Sequence, residues 1–128
     1  MKLSKVLAEK RESGKLYTIN SGASIKDASK KFVSLRIGSL MVVEPNSNPV
    51  KYLGLISRSD AIRAVSFEDN IEKAIVDDYM TTRLIVANIE DDVDYVMNVM
   101  VRHNITHLPV ISGKSIVGIV SRSDILQV

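Results

Sequence analysis

Apolar residues recur along the chain at two different spacings. Between residues 25 and 35, and again between 93 and 100, they fall at every third or fourth position, which predicts two amphipathic helices. Ser24 and Asp92 precede these helices as predicted N-caps. Short runs rich in β-branched and other apolar residues predict strands at 15–19, 39–43, 51–56, 83–87, 107–111 and 115–120. With a second helix after 57 and after 121, the predicted order is β-α-β-β-α, twice over.

The two halves of the chain also repeat each other in sequence. Residues 16–43 align with 84–111 at an offset of 68, with six identical positions. The stretch GLISRSD at 54–60 returns as GIVSRSD at 118–124, at an offset of 64, because the first repeat carries four extra residues within EPNSNP. Since a unit of ~55 residues is marginal alone, the two units are expected to pack together.

Composition is that of an ordinary globular chain, with 45% hydrophobic and 25% charged residues. The absence of cysteine excludes disulfides and thiol chemistry, and it suits a reducing, cytoplasmic location. No apolar run approaches the ~18 residues of a membrane span. The N-terminal residues contain no apolar stretch long enough for a secretory signal.

Charge is unevenly distributed. Residues 1–36 carry nine Lys and Arg against three Asp and Glu, whereas residues 66–94 carry two against nine. The asymmetry has two interpretations: solvated faces that meet each other across the fold or a dimer, or a basic surface for nucleic acid or another polyanion. Few aromatic residues lie among the basic ones, which favours the first interpretation, because single-strand binders usually interleave the two. The basic residues are Lys2, Lys5, Lys10, Arg11, Lys15, Lys26, Lys30, Lys31 and Arg36.

Each Gly-x-x-Ser-Arg-Ser-Asp stretch brings anion-binding and ribose-binding groups to the predicted start of a helix. The free N–H groups and dipole of a helix start attract an anion, and the arginine adds a planar cation suited to phosphate. The aspartate can accept hydrogen bonds from both hydroxyls of a ribose. Ser-x-x-Asp is also a plain helix-capping pattern, so both interpretations stay open. The predicted ribose- and phosphate-binding residues are Ser57, Arg58, Asp60, Ser121, Arg122 and Asp124.

Two long runs, residues 79–105 and HLPVISGKSIVGIVSRSD at 107–124, resemble the CBS domain, named after cystathionine beta-synthase. The resemblance covers residues 5–127 as two tandem copies, a Bateman module, although Met41 stands where proline is usual. It implies a mixed α/β fold of two tandem β-α-β-β-α repeats packed with pseudo-twofold symmetry. The implied organisation is a single CBS-pair module over 1–128, with repeat 1 at 5–65, a linker at 66–78 and repeat 2 at 79–128.

The resemblance also implies a ligand. CBS pairs usually bind AMP, ADP, ATP or S-adenosyl compounds in clefts that combine this motif from one repeat with strand residues from the other. It implies that His107 pairs with Ser57 and Asp60, which we expect to be the better anion site because the opposite cleft offers neutral Ser39. The adenine-binding and cleft-lining residues implied are Thr18, Gly38, Ser39, Val86, Thr106 and His107.

The expected function is that of a non-catalytic regulatory module, a homodimer that signals by conformational or oligomeric change to an effector protein. The alternatives are a ligand-free interaction scaffold, or nucleic-acid binding through the basic N-terminal third. No catalytic residue, metal site or cofactor is predicted. His103 and His107 should lie roughly 13 Å apart along an extended backbone, too far to share a metal ion.

Overall fold

The computed structural model of the chain describes residues 1–10 and 16–127. Lys15, in the predicted strand 15–19, and the basic Arg11 lie outside the described residues. The predicted order β-α-β-β-α is confirmed in both repeats, and an additional helix precedes the first. The elements are α1 (Leu3–Glu9), β1 (Thr18–Asn20), α2 (Ile25–Leu35), β2 (Ser39–Val43), β3 (Tyr52–Ser57), α3 (Arg58–Phe67), β4 (Ala87–Asn88), α4 (Val93–Arg102), β5 (His107–Ser112), β6 (Ser115–Ser121) and α5 (Arg122–Leu126).

Each repeat forms a three-stranded sheet of the same topology, in the orders β1-β2-β3 and β4-β5-β6. The first two strands of each sheet are parallel and the last two are antiparallel. The register shifts between Val42 and Val43, and again between Val110 and Ile111 at the equivalent place in the second repeat. The duplication therefore extends to irregularities of the backbone.

The predicted bounds of the first strand in each repeat are wrong, whereas 39–43 is confirmed to the residue. The predictions at 15–19 and 83–87 place these strands too early, because pairing begins only at Thr18 and at Ala87. The β-branched residues before these points favour extended backbone, but a strand also needs a hydrogen-bonded neighbour.

Helices α2 and α4 begin at the predicted caps. The Ser24 hydroxyl accepts a hydrogen bond from the Asp27 N–H at 2.9 Å, and the Asp92 carboxylate accepts one from the Asp94 N–H at 2.9 Å. One face of each helix is buried against its own sheet, as the apolar spacing predicts. The buried residues of these faces are Ile25, Ala28, Phe32, Val96 and Met100.

The chain divides into two compact units, and the first residues of the chain belong to the unit that contains the second repeat. The first unit is Tyr17–Arg83, and the second combines Met1–Leu16 with Leu84–Val128. The predicted linker at 66–78 belongs to the first unit, where Ala74 and Val76 are fully buried in the hydrophobic core. Asp77 of the same stretch accepts hydrogen bonds from the Ser21 hydroxyl and, at 2.7 Å, from the Gly22 N–H.

The N-terminal segment (residues 1–10) completes the second unit. Leu3 and Val6 of α1 are 0% and 1% exposed within a core formed with α4, α5 and the second sheet. Backbone hydrogen bonds of 2.9 Å join Leu3 N–H to Asp91 O, and Val93 N–H to Met1 O. The segment is therefore docked through both its side chains and its backbone.

Two of the basic residues pair with acidic residues of their own unit, and whether whole faces meet stays a prediction. Lys2 pairs with Glu90 at 2.7 Å in the second unit, and Lys26 pairs with Glu72 at 3.2 Å in the first. These side chains are exposed, so each pair contributes little to stability.

Candidate functional site

The two Gly-x-x-Ser-Arg-Ser-Asp stretches fold as a strand that ends in a helix cap. Ser57 ends β3 and caps α3, and Ser121 ends β6 and caps α5. Each serine Oγ accepts from the N–H of the aspartate three residues on, at 3.3 Å for Asp60 and 3.0 Å for Asp124. Each carboxylate accepts in return from the serine N–H, at 2.9 and 2.8 Å. The capping interpretation is confirmed in both copies. In both, Oδ2 is the aspartate oxygen that accepts the hydrogen bond from the serine N–H.

Strand residues of the same repeat lie beside each motif. Ser39 is paired with Ser57 across the sheet, and His107 is paired with Ser121. The Arg58 N–H donates to Gly38 O at 3.1 Å. At the equivalent place in the second unit, the Arg122 N–H donates to Thr106 O at 3.0 Å. Four predicted cleft residues thus adjoin the motif of their own repeat, and the implied pairing of His107 with Ser57 and Asp60 stays a prediction.

Asp60 in the first motif is contacted by an arginine of the same helix. Its Oδ1 accepts from Arg63 Nη2 at 3.0 Å, and the same nitrogen donates to Tyr79 O at 3.0 Å. The guanidinium carbon lies 5.8 Å from the centre of the Tyr79 ring. The Arg63 side chain is 55% exposed and the Asp60 side chain 13%, so a buried carboxylate faces a cation that lies largely in solvent.

Asp124 in the second motif is contacted by a lysine from the N-terminal segment. Lys10 Nζ lies 2.8 Å from Asp124 Oδ2 and donates to Ile119 O at 2.6 Å. Both side chains are largely shielded, at 12% exposure for the lysine and 21% for the aspartate. Burial alone would raise the pKa of the Asp124 carboxyl. Hydrogen bonds from Lys10 and Ser121, with the charge of Lys10, outweigh burial and hold that pKa below its ordinary value.

The glycine of the first motif permits a close backbone approach. A Cβ at Gly54 would lie 2.7 Å from Thr81 O and 2.8 Å from Met80 Sδ. Beside it, Leu55 and Thr81 exchange two backbone hydrogen bonds of 2.9 Å. The close neighbours that the motif glycine predicts are therefore the Thr81 carbonyl and the Met80 side chain, within the same unit.

The two motif arginines have different surroundings. The Arg122 guanidinium donates to Ile105 O at 2.8 Å and to Met100 O at 3.0 Å, which ties the start of α5 to the end of α4. Arg58 is exposed at the start of α3. Of the two arginines predicted to bind phosphate, Arg58 is the one whose side chain lies in solvent.

The predicted base-binding residues lie on the first strand of a sheet or just before it. Thr18 begins β1 and is paired with Met41 of β2. Val86 immediately precedes β4 and is 43% exposed. It lines a cavity of about 230 Å³ in the second unit, with apolar walls from the stretch before β4 and from α4, and with Arg102 and His103 also in its lining.

Two residues that contact the motif aspartates were not predicted from the sequence to belong to the site. Arg63 lies one helical turn after Asp60, a spacing that could have indicated the pair. Lys10 was recognised only as one of many basic residues. Leu3, Val6 and Leu7 have the spacing of a helical face, so α1 could have been predicted, but no local pattern connects Lys10 with Asp124.

No metal site or membrane span is found in the described structure. Within residues 1–10 and 16–127, no group of three or more His, Cys, Asp or Glu side chains is placed to hold a metal ion. No helix among these residues is long and apolar enough to cross a membrane. His103 caps the end of α4, and His107 begins β5.

A family model described as the CBS domain matches the chain twice, at residues 12–67 and 76–128. The chain belongs to the CBS-domain family. This CBS pair is 32% identical over 111 residues to protein MJ1225 of Methanocaldococcus jannaschii, covering 86% of this chain and 38% of the relative. It spans between 25% and 52% of the length of three curated relatives that it matches.

Solved structures support the same assignment. A Burkholderia ambifaria protein with CBS domains is 26% identical, with a TM-score of 0.89 and coverage of 99% of this chain and 92% of that one. The CBS domain pair of protein MJ0100 is also 26% identical, with a TM-score of 0.81 and coverage of 99% and 94%. That pair was solved in complex with 5'-methylthioadenosine and S-adenosyl-L-methionine. Proteins built from a CBS pair are generally regulatory and non-catalytic.

Proposed function

We propose that this CBS pair is a non-catalytic sensor that reversibly binds an adenosine-containing ligand through its two Gly-x-x-Ser-Arg-Ser-Asp motifs. The observation that carries the proposal is the capping box in each motif, which holds an aspartate carboxylate at a helix start next to a strand of the same repeat. The MJ0100 pair in complex with two adenosine compounds supports the ligand class.

The first motif provides the chemistry for a ribose. Asp60 Oδ2 is held by the cap, so Oδ1 faces Arg63, a partner whose side chain is 55% exposed. The Arg63 side chain can leave this carboxylate at little cost, because it is largely solvated already and Asp60 Oδ2 keeps its hydrogen bonds from the Ser57 N–H and hydroxyl. The hydroxyls of a ribose would then replace the guanidinium as donors to Asp60.

Phosphate and base also have candidate partners in this proposal. Arg58 is exposed at the start of α3, where helix N–H groups and the helix dipole favour an anion. Thr18 and Val86 are the proposed base contacts, and Gly38, Ser39, Thr106 and His107 the proposed lining. In this proposal AMP, ADP, ATP and S-adenosyl compounds are all candidate ligands.

The proposed output is a change of shape or of assembly. A ligand shifts an equilibrium only if it binds two states with different affinity, so we propose that a homodimer or an effector protein reads the ligand-bound state. Light scattering after size exclusion, with and without ligand, would measure whether the homodimer forms and whether ligand changes it.

Isothermal titration tests the binding proposal directly. The protein, freed of carried-over nucleotide, is titrated with AMP, ADP, ATP, S-adenosylmethionine and 5'-methylthioadenosine in turn. We expect saturable binding to at least one of them and loss of one site in Asp60→Ala. The matched control is Asp27→Ala, since Asp27 stands at the same third position after the Ser24 cap of α2.

Two results would contradict the proposal. If no ligand produced heat or raised the melting temperature, the scaffold alternative would be favoured, because a ligand at a hundredfold excess over its Kd adds about 2.7 kcal/mol of stability. If Asp60→Ala and Asp124→Ala both bound ligand normally, the ribose assignment would be wrong. Binding to single-stranded nucleic acid that weakened steeply with salt would favour the nucleic-acid alternative.

A further inference from the structure

We propose that Lys10 blocks the second motif by forming an ion pair with Asp124, so that the first motif binds an adenosine ligand with higher affinity than the second. The inference rests on the proposed function. It concerns a lysine that belongs to neither motif, and it makes the N-terminal segment the part of the chain that distinguishes two nearly identical sites.

Lys10 contacts the same oxygen of Asp124 that closes the cap, so a ribose that bound both oxygens of this carboxylate would have to displace the ammonium from Oδ2. Asp124 Oδ2 accepts from the Ser121 N–H at 2.8 Å and lies 2.8 Å from Lys10 Nζ. A ribose hydroxyl and the ammonium would both make charge-assisted hydrogen bonds to the carboxylate, but only the ammonium adds the attraction between opposite charges. Replacing Lys10 by hydroxyls therefore loses the ion pair at Asp124.

The lysine is also held by a second acceptor. Its ammonium donates to Ile119 O at 2.6 Å, so its departure would leave this carbonyl without the lysine as well. In the first unit the equivalent carbonyl, that of Leu55, accepts from the backbone N–H of Thr81 at 2.9 Å. The same position in the two motifs thus has a backbone donor in one and the Lys10 ammonium in the other.

Lys10 is positioned by a docked helix. Leu3 and Val6 are almost completely buried in the second core, and backbone hydrogen bonds join the segment to residues 89–93. Much of the entropic cost of bringing the ammonium to Asp124 is therefore met when the unit folds. Arg63, the cation at Asp60, has no such shielding, since its side chain is 55% exposed against 12% for Lys10.

The test compares the wild-type chain with Lys10→Met, which keeps an apolar stem and removes the ammonium. Adenosine is the probe, because it has the ribose but no phosphate to attract Lys10. Backbone amide resonances of Ser57 and Asp60 report the first motif, and those of Ser121 and Asp124 report the second. The control is Lys5→Met, which removes an exposed lysine from the same helix.

We expect the wild-type chain to bind adenosine at the first motif at lower concentration than at the second. Lys10→Met should lower the Kd of the second motif at least tenfold and leave that of the first unchanged, and Lys5→Met should change neither. Equal wild-type affinity at the two motifs, or an unchanged or weaker second site in Lys10→Met, would overturn this inference alone. Absence of binding at both motifs in every variant, with adenosine and with the five ligands named above, would overturn the proposed function as well.

A second measurement needs no ligand. The carboxyl carbon of Asp124, followed by NMR through an acid titration, should show a higher pKa in Lys10→Met than in the wild-type chain and no change in Lys5→Met. An Asp124 pKa that is the same in all three proteins would overturn the inference, because the ion pair would then be absent in solution.

Discussion

The two aspartates of the repeated motif have nearly the same local structure and very different partners. Asp60 and Asp124 each close a capping box with the serine three residues before. Asp60 then faces an exposed arginine from its own helix, whereas Asp124 faces a shielded lysine from the N-terminal segment. Duplication of a sequence thus reproduces caps, strands and register, while the partner of one aspartate comes from its own helix and that of the other from a segment far away in the chain.

The largest expected effect comes from removing the anchor of the N-terminal segment. Leu3→Ala should destabilise the second unit by about 3 kcal/mol, because it leaves a cavity in place of a fully buried leucine. Ile71→Ala, which shortens a side chain packed against the core of the first unit, should cost about 1–2 kcal/mol, because Ile71 is only partly buried.

Amide hydrogen exchange would check this first comparison. In Leu3→Ala the amides of β5 and β6 should exchange faster, with little change in β2 and β3, and Ile71→Ala should show the reverse. Equal acceleration of both sheets by either variant would indicate that the units unfold together and that the anchor is not specific to one of them.

A smaller effect is expected from removing the two cations. Lys10→Met should reduce the free energy of unfolding by about 1–2 kcal/mol at neutral pH, since it leaves a largely shielded carboxylate without its ion pair. Arg63→Met should cost less than about 1 kcal/mol, because the Arg63 side chain is 55% exposed and Asp60 Oδ2 keeps its hydrogen bonds from the Ser57 N–H and hydroxyl. Urea denaturation of both variants measures the difference, and a larger loss for Arg63→Met would contradict the comparison.

The smallest expected effect is a dependence on pH. The Asp124 pKa is lower in the folded protein than the ordinary aspartate value of 3.8, so the folded state favours the charged carboxylate. Its contribution to stability is complete above that ordinary value and is lost as the pH falls through the lower, folded pKa. The stability difference between wild type and Asp124→Asn should therefore shrink with acidification over this range. A difference that grew on acidification would reverse the assigned sign.

Local patterns predicted most of the framework. The run SLMVV at 39–43 is strand β2 to the residue, and Ser24, Ser57, Asp92 and Ser121 all cap helices as predicted. These features depend on neighbouring residues, so the sequence displays them directly. The resemblance to CBS domains, confirmed by the family model over both repeats, supplied the fold around them.

Features that depend on distant partners were not predicted. The parallel strands were placed too early because Ile85 and Val86 favour extended backbone, yet β4 pairs only through Ala87 and Asn88. Lys10 and Asp124 are separated by more than a hundred residues, and only the docking of α1 brings them together. The environment of the second motif therefore could not be derived from its own residues.

The N-terminal segment belongs to the second unit and residues 66–83 belong to the first, and this arrangement also constrains how the chain can fold. The N-terminal segment leaves the ribosome long before the core in which Leu3 and Val6 are buried has been synthesised. The first unit cannot close until the stretch from Ala74 to Thr81 has emerged. We therefore expect that neither repeat is an independent folding unit, and that a chain cut between α3 and Ile71 would lose part of both cores.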